Sequence, residues 1–218
     1  FNALMYKHLI FDLDGTIVDT LPSIIKSINL TLKHFKAPYQ YTVKDGPHLV
    51  GWGTPYLIKT AFKDENCDYK KIMKYYLPTQ ARVHLAEAKL FPGIKKTLTT
   101  LKKRGYTLYI ATNKPIEVGP STINKLYGKN FFKDGSYQKL ETPKKPDPFV
   151  VNEIIKRNHL KRKECLYIGD SEVDILTAKN AKIDCLLVTF GYGKYKEFDL
   201  KKAKFIINKP QELLNYLK

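Results

Sequence analysis

The sequence predicts an α/β fold, a three-layer core around a central parallel sheet, interrupted by one all-helical insert. Three observations carry this expectation. Short apolar runs near residues 6–12, 106–112, 164–169, 184–189 and 204–207 alternate with helix-period segments, the pattern of parallel strands buried on both faces. Several of these runs end abruptly in carboxylates, hydroxyls or glycine turns, as strands do where an α/β sheet gathers a site. Residues 20–88, between the first and second runs, have helical periodicity and offer no convincing strand.

The first run, Tyr6-Lys7-His8-Leu9-Ile10-Phe11, is apolar or aromatic except at Lys7 and His8, and it leads into Asp12-Leu13-Asp14-Gly15-Thr16. Gly15 lets the backbone leave the strand sharply. Asp12 and Asp14 would repel one another and lose hydration, so a site that keeps both ionised needs a cation, and Mg²⁺ prefers such oxygen ligands. The plainer reading is an ordinary turn at Asp14-Gly15, with Asp12 as a helix cap.

Asp19-Thr20-Leu21-Pro22 reads as a capped helix start with an early proline, followed by Ile24, Ile25, Ile28, Leu32 and Phe35 at helical spacing. Further helical stretches are predicted over residues 43–62 and 69–87, and Leu90-Phe91-Pro92-Gly93 closes the insert. The boundaries that follow are 1–19 and 89–218 for the core and 20–88 for the insert. Within the insert, Gly51-Trp52-Gly53 stands out, because two glycines allow close backbone approach and Trp52 is the only tryptophan. A packed helix junction explains the same residues.

The helix-like 94–103 and Gly105 precede the second strand, which ends in Thr112-Asn113-Lys114, where hydroxyl and amide groups could hold phosphate oxygens. Taken singly this is a turn. Lys145-Pro146-Asp147-Pro148 then displays a lysine at a rigid helix entrance, ahead of Phe149, Val150, Ile154 and Ile155, although a solvated surface lysine would look the same. Cys165-Leu166-Tyr167-Ile168-Gly169-Asp170 repeats the theme of strand, glycine and carboxylate. Asp174, four residues on, falls in the first turn of the next helix, where it could approach Asp170 or simply favour the helix N-terminus. Tyr192 and Lys194, in the glycine-rich turn after Thr189-Phe190, are weaker candidates for the site's rim.

Asp12, Asp14, Thr112, Lys145, Asp170 and Asp174, in this order, resemble the haloacid dehalogenase superfamily of phosphohydrolases across nearly the whole chain. The wording of Thr112-Asn113-Lys114, Lys145-Pro146-Asp147-Pro148, Gly169-Asp170-Ser171 and Thr189-Phe190-Gly191-Tyr192-Gly193 is similar to the phosphoglycolate phosphatase subgroup, while the loop 131–142 departs from its pattern. The resemblance implies a Rossmann-like core with the first strand central and a helical cap over the site. It implies Asp12 as nucleophile forming an aspartyl phosphate, Asp14 as general acid/base, and Lys145, Thr112 and Asn113 on the phosphate. Mg²⁺ is expected on Asp12, Asp14 through its carbonyl, Asp170 and Asp174, and substrate contacts from Gly51, Trp52 and Gly53. The implied partner is a small phosphorylated metabolite, phosphoglycolate first, with pyrophosphate or a nucleoside monophosphate as alternatives. A phosphoglucomutase fits less well, since no cap acid or base stands out.

Composition fits such an enzyme without selecting it. The chain has 218 residues and a formal charge of +17, nearly all from lysines spread along its length, with arginine only at positions 82, 104, 157 and 162. Nucleic-acid surfaces cluster basic residues with arginines or aromatics, so binding RNA or DNA is the minor alternative. No apolar stretch approaches the roughly 20 residues a membrane span needs, and no secretory leader is visible, so a cytoplasmic location is expected. Residues 1–4, ahead of Met5, read as an addition. Cys67, Cys165 and Cys185 lack metal-ligand spacing and are expected to be buried thiols.

Overall fold

A computed structural model describes residues 6–194 and 200–218; the expectation for residues 1–4 lies outside them. The chain forms β1 (His8–Phe11), α1 (Leu21–His34), α2 (Gly46–Leu49), α3 (Thr54–Phe62), α4 (Tyr69–Glu87), α5 (Ile94–Lys103), β2 (Thr107–Pro115) and α6 (Gly119–Tyr127). It continues through β3 (Asp134–Gln138), α7 (Phe149–Arg157), β4 (Cys165–Gly169), α8 (Glu172–Asn180), β5 (Asp184–Val188) and β6 (Phe205–Ile207).

The six strands make one parallel sheet in the order β3-β2-β1-β4-β5-β6, which puts β1 in the interior of the sheet. Strand residues alternate between faces, so each strand feeds two cores. Leu9 and Phe11 pack with Leu108, Ile110, Leu166 and Ile168 against Ile94, Leu98 and Leu101 of α5 and against Ile123 and Tyr127 of α6. Ile10, Tyr109 and Tyr167 face the other way, onto Val150, Val151 and Ile154 of α7 and Ile175 and Ala178 of α8. These are the three expected layers, and they bring the carboxyl ends of β1, β2 and β4 together on one rim.

A third cluster joins Leu21, Ile24, Ile25, Ile28 and Leu32 of α1 to Leu57 and Ile58 of α3 and to Ile72, Met73 and Tyr76 of α4. The two connections between these helices and the sheet run side by side, Asp19 pairing antiparallel with Lys89.

Four local expectations need correction. The loop 131–142 contains β3, an edge strand of sequence Asp-Gly-Ser-Tyr-Gln in which only Ser136 is buried. Asp and Gly disfavour strands and no apolar alternation marks the segment, so only its pairing with β2 makes it one. The helix predicted over 43–62 is broken at 50–53, where Gly51 (φ +102°) and Gly53 (φ +87°) take backbone conformations closed to other residues. Helix α1 does start at Leu21 and Pro22, but the Thr20 side chain makes no cap hydrogen bond. Cys165 and Cys185 are buried, whereas Cys67, in the loop after α3, is partly exposed.

Candidate active site

Asp12 directly follows β1, and its backbone N–H still donates to the Ile168 carbonyl of β4 at 2.9 Å, so the sheet itself fixes its Cα. Its side chain is buried, with Oδ1 2.9 Å from Lys145 Nζ. That contact is a close ion pair. Burial pushes the Asp12 carboxyl up to about 6, against Lys145 and Thr112, which favour the ionised form.

Lys145 is built into place from both ends. Asn113, at the end of β2, accepts from the Lys145 N–H at 2.8 Å and donates through Nδ2 to the Lys145 carbonyl at 3.3 Å, bracketing that residue's backbone. At the other end, Nζ donates to Asp174 Oδ1 at 2.7 Å and to the Tyr167 hydroxyl at 3.0 Å. Burial would lower the pKa of this lysine, but Asp12 and Asp174 more than offset it and hold the ammonium ionised above its ordinary range. Lys144 is exposed and lies against Gly53, its Cδ 3.4 Å from where a Cβ there would sit. The two neighbouring lysines therefore serve different surroundings.

Asp174 is the third residue of α8 and forms a capping box with Ser171, the sequence signature of an N-terminus turned into a buried bracket. Its Oδ2 accepts from Asp170 N–H at 3.0 Å, Ser171 N–H at 3.1 Å and Ser171 Oγ at 2.7 Å, while Oδ1 takes Lys145. Both oxygens are thus committed to protein donors. Asp170 is held by the N–H groups of Tyr192 (3.0 Å) and Gly193 (2.8 Å) on Oδ2, leaving Oδ1 with only a long contact from Thr16 Oγ1 at 3.4 Å. Burial, then Asp174 and Asp12, push the Asp170 carboxyl well above the usual range. Asp12, Asp170 and Asp174 place oxygens within 4.8 Å of one another, all buried. An isolated cluster of this kind is costly, and a bound divalent cation would relieve it.

Gly15 makes this crowding possible. Its φ is +81°, and a Cβ there would lie 2.3 Å from Asp170 Oδ2. Gly15→Ala is expected to lose at least about 1–2 kcal/mol of stability from the backbone alone, and to displace the Asp170 carboxylate. Urea unfolding of the purified variant checks the first part.

Asp14 points away from this cluster. Its Oδ1 accepts from Thr20 Oγ1 at 2.6 Å and from Lys114 Nζ at 3.0 Å. Thr20 in turn shares a 2.6 Å hydrogen bond with the hydroxyl of Tyr192, a half-buried residue that lines the cavity. Lys194 does stand at the rim, its ammonium against His48 of α2. Lys114 is fully buried, and its ammonium also meets His84 Nε2 of α4 at 2.6 Å.

Thr112, Asn113, Asp12, Asp14, Lys145 and Asp170 open onto one cavity of about 170 Å³, which Gly51, Trp52 and Gly53 line from the other side. Asn113 Nδ2 also donates to the Gly51 carbonyl at 3.3 Å, tying this loop to the sheet. Trp52 stays partly exposed and pairs with Tyr56 at 6.5 Å between ring centroids. The twelve residues singled out in the sequence, Tyr192 and Lys194 included, therefore meet around one space or directly behind it, Asp174 being the one set behind.

Sequence reasoning missed Lys114, His84, Thr20 and Tyr167. Lys114 left a signal: in an extended strand, residues 112 and 114 share a face, so a lysine two after Thr112 points to the same place. His84 left none, because one histidine in an amphipathic helix says nothing about what it meets.

The family model for haloacid dehalogenase-like hydrolases matches residues 9–188. Among curated relatives, the phosphoglycolate phosphatase of Colwellia psychrerythraea is 32% identical over 220 residues, covering 96% of each chain. That of Aliivibrio fischeri is 30% identical over 196 residues, covering 86% of each. A haloacid dehalogenase-like family hydrolase of Streptococcus pneumoniae superposes with a TM-score of 0.85 at 26% identity, covering 98% of this chain and 99% of that one. CbbY of Rhodobacter sphaeroides, solved with phosphate, shares the fold at a TM-score of 0.84 and 19% identity.

Proposed function

The chain belongs to the haloacid dehalogenase-like hydrolases, and from that premise we propose that it is a Mg²⁺-dependent phosphatase of a small phosphomonoester, with phosphoglycolate the foremost candidate. The observation that carries this reading is the Asp12 carboxylate: fixed at the end of a central strand, paired with Lys145, and lining a small cavity beside Thr112 and Asp170.

Asp12 attacks phosphorus and expels the alcohol, so that one difficult hydrolysis becomes two displacements through an aspartyl phosphate. Lys145 neutralises charge on the transferring group, and the hydroxyl of Thr112 supplies a donor beside it. Asn113, engaged with Lys145 and Gly51, serves chiefly by holding that lysine and the loop in place. Asp14 protonates the departing oxygen and then accepts a proton from the water that cleaves the intermediate.

The oxygen donors fit Mg²⁺. Asp170 keeps its Oδ1 free of strong donors, the Asp12 carboxylate lies beside it, and the Asp14 backbone carbonyl would add a third ligand; Asp174, already saturated by protein donors, stands behind Asp170 and Lys145. When bound, the ion would offset carboxylate charge and screen the approach of a phosphate dianion. The helices over residues 20–88 act as a cap on this reading, with Gly51, Trp52 and Gly53 meeting the non-phosphoryl part of the substrate. The basic surface raises the encounter rate with anionic esters in a salt-dependent way. Among the described residues no helix is long and apolar enough to cross a membrane.

Phosphate release from phosphoglycolate, pyrophosphate, nucleoside monophosphates and sugar phosphates, each with Mg²⁺ or with EDTA, tests the reading. Release is expected to be fastest with phosphoglycolate, to fall to background in EDTA, and to return when Mg²⁺ is restored. Preference for pyrophosphate or a nucleotide would move the substrate and keep the chemistry; turnover unchanged by EDTA would remove the metal.

A further inference from the structure

Helix α4 of the insert turns three polar side chains toward the machinery just described: Tyr76, Gln80, which lines the cavity, and His84, the one that hydrogen-bonds a group on β2. His84 is buried, and its Nε2 lies 2.6 Å from Lys114 Nζ. The same ammonium lies 3.0 Å from Asp14 Oδ1. An ammonium has only donors, so the imidazole nitrogen facing it must be its unprotonated acceptor. Burial, and then Lys114 itself, push His84 down to about 2, which keeps the ring neutral as that bond requires. Its other nitrogen, Nδ1, then carries the proton and faces the Gln80 backbone one turn earlier in α4. The Lys114 contact fixes the side of the ring that faces the site.

We propose that His84 is a positioning residue for Asp14: by accepting from Lys114 it aims the ammonium, and with it the Asp14 carboxyl, so that the general acid is set only when α4 is seated on the sheet. This rests on the assignment of Asp14 above. Asp14 has two side-chain anchors in the structure. Thr20 belongs to the segment entering α1, whereas Lys114 belongs to β2 and is buttressed from α4. The helix that closes over the substrate is thus hydrogen-bonded to the acid by way of one lysine, with the buried Tyr76 hydroxyl of the same helix nearby. Loss of His84 leaves Lys114 a buried ammonium with one partner fewer and freer to leave its present rotamer, and the Asp14 carboxyl loses a fixed direction. The phosphorus-facing groups Asp12, Lys145 and Asp170 have no contact with His84 and stay where they are.

The test uses the dependence of rate on the leaving group. kcat/KM reports only the steps up to departure of the alcohol, the step that Asp14 assists. An alkyl phosphate needs that proton, whereas p-nitrophenyl phosphate releases a stable anion and needs it much less. With the full-length protein and Mg²⁺, His84→Leu is expected to lower kcat/KM on the order of 10- to 100-fold for phosphoglycolate, or for whichever alkyl phosphate is turned over fastest. It is expected to change p-nitrophenyl phosphate by less than about threefold, and His84→Gln, whose amide oxygen can accept from Lys114, is expected to recover most of the loss. If His84→Leu does not fold, His84→Asn, polar but too short to reach Lys114, takes its place. Equal losses on both esters, or no loss on either, would overturn the proposal. Asp14→Asn in the same assay separates the two readings: if it too lowers both esters equally, the role of Asp14 is at fault, and if it is selective while His84→Leu is not, only the role of His84 falls.

Discussion

Replacing Asp12 by asparagine is expected to remove turnover altogether, a loss on the order of 10⁴-fold or more, while leaving the fold intact. An amide is nearly isosteric with the carboxylate, so Leu9, Ile10 and Phe11 keep their packing and the strand keeps its hydrogen bond to Ile168. What disappears is the nucleophile. The buried ion pair with Lys145 disappears as well, but the lysine retains Asp174 and Tyr167, so its charge is not stranded. Thermal unfolding close to that of the unaltered protein, together with phosphate release at background, is the expected pair of results. Substrate binding should survive, and isothermal titration with phosphoglycolate and Mg²⁺ would detect it.

Lys145→Ala should behave differently, losing stability as well as activity. In the structure one buried ammonium sits 2.9 Å from Asp12 and 2.7 Å from Asp174, and only Lys145 lies between them. Its removal leaves two buried carboxylates facing each other beside Asp170. Breaking one side of a buried ion pair typically costs about 3–5 kcal/mol, because the remaining charge is uncompensated. Lys145→Ala is accordingly expected to lower the denaturant midpoint by several kcal/mol equivalents of stability, with part of the loss recovered when Mg²⁺ is added. Urea titrations with and without the metal measure both. A variant as stable as the parent in EDTA would mean that the carboxylates are already protonated and that the charge balance described above is wrong.

Much of this arrangement was legible in the sequence because its chemistry sits at the ends of strongly apolar strands. The runs at 6–12, 106–112 and 164–169 have no plausible place except a buried parallel sheet, and the residues that follow them, Asp12, Thr112 and Asp170, then share a rim. Asp174 was legible through spacing alone, since a position four after Asp170 at a helix start returns toward it, and the capping box is how it does so. Strand β3 was not legible, because an edge strand of Asp, Gly and Ser has no hydrophobic pattern to read and exists through its ladder with β2. The break at Gly51 to Gly53 was hidden for the opposite reason: the flanking residues keep helical periodicity on both sides of a turn that only two positive-φ glycines reveal.

The contacts around Asp14 show where sequence reading ends. Thr20 looked like a helix cap, and its hydroxyl instead goes to Asp14 and Tyr192. Tyr192 lines the cavity as its place in the glycine-rich turn suggests, but its hydroxyl bond to Thr20 has no local signal. Lys114 and His84 come from a strand and a helix thirty residues apart, and nothing in either local pattern announces the other. Such pairings follow from how α4 packs on α1, α3 and α6 and so meets the end of β2, a tertiary fact that periodicity fixes only to within a face of the helix.

The central claim is that hydrolysis passes through a phosphoryl group bonded to Asp12, and mass spectrometry of protein quenched in acid during turnover tests it directly. With phosphoglycolate and Mg²⁺, the account predicts a fraction of the chain heavier by one phosphoryl group, mapped to the peptide containing Asp12, lost on treatment with hydroxylamine and absent in Asp12→Asn. Rapid turnover with no phosphorylated chain at any quench time, or a phosphoryl group on another residue that persists in Asp12→Asn, would contradict it.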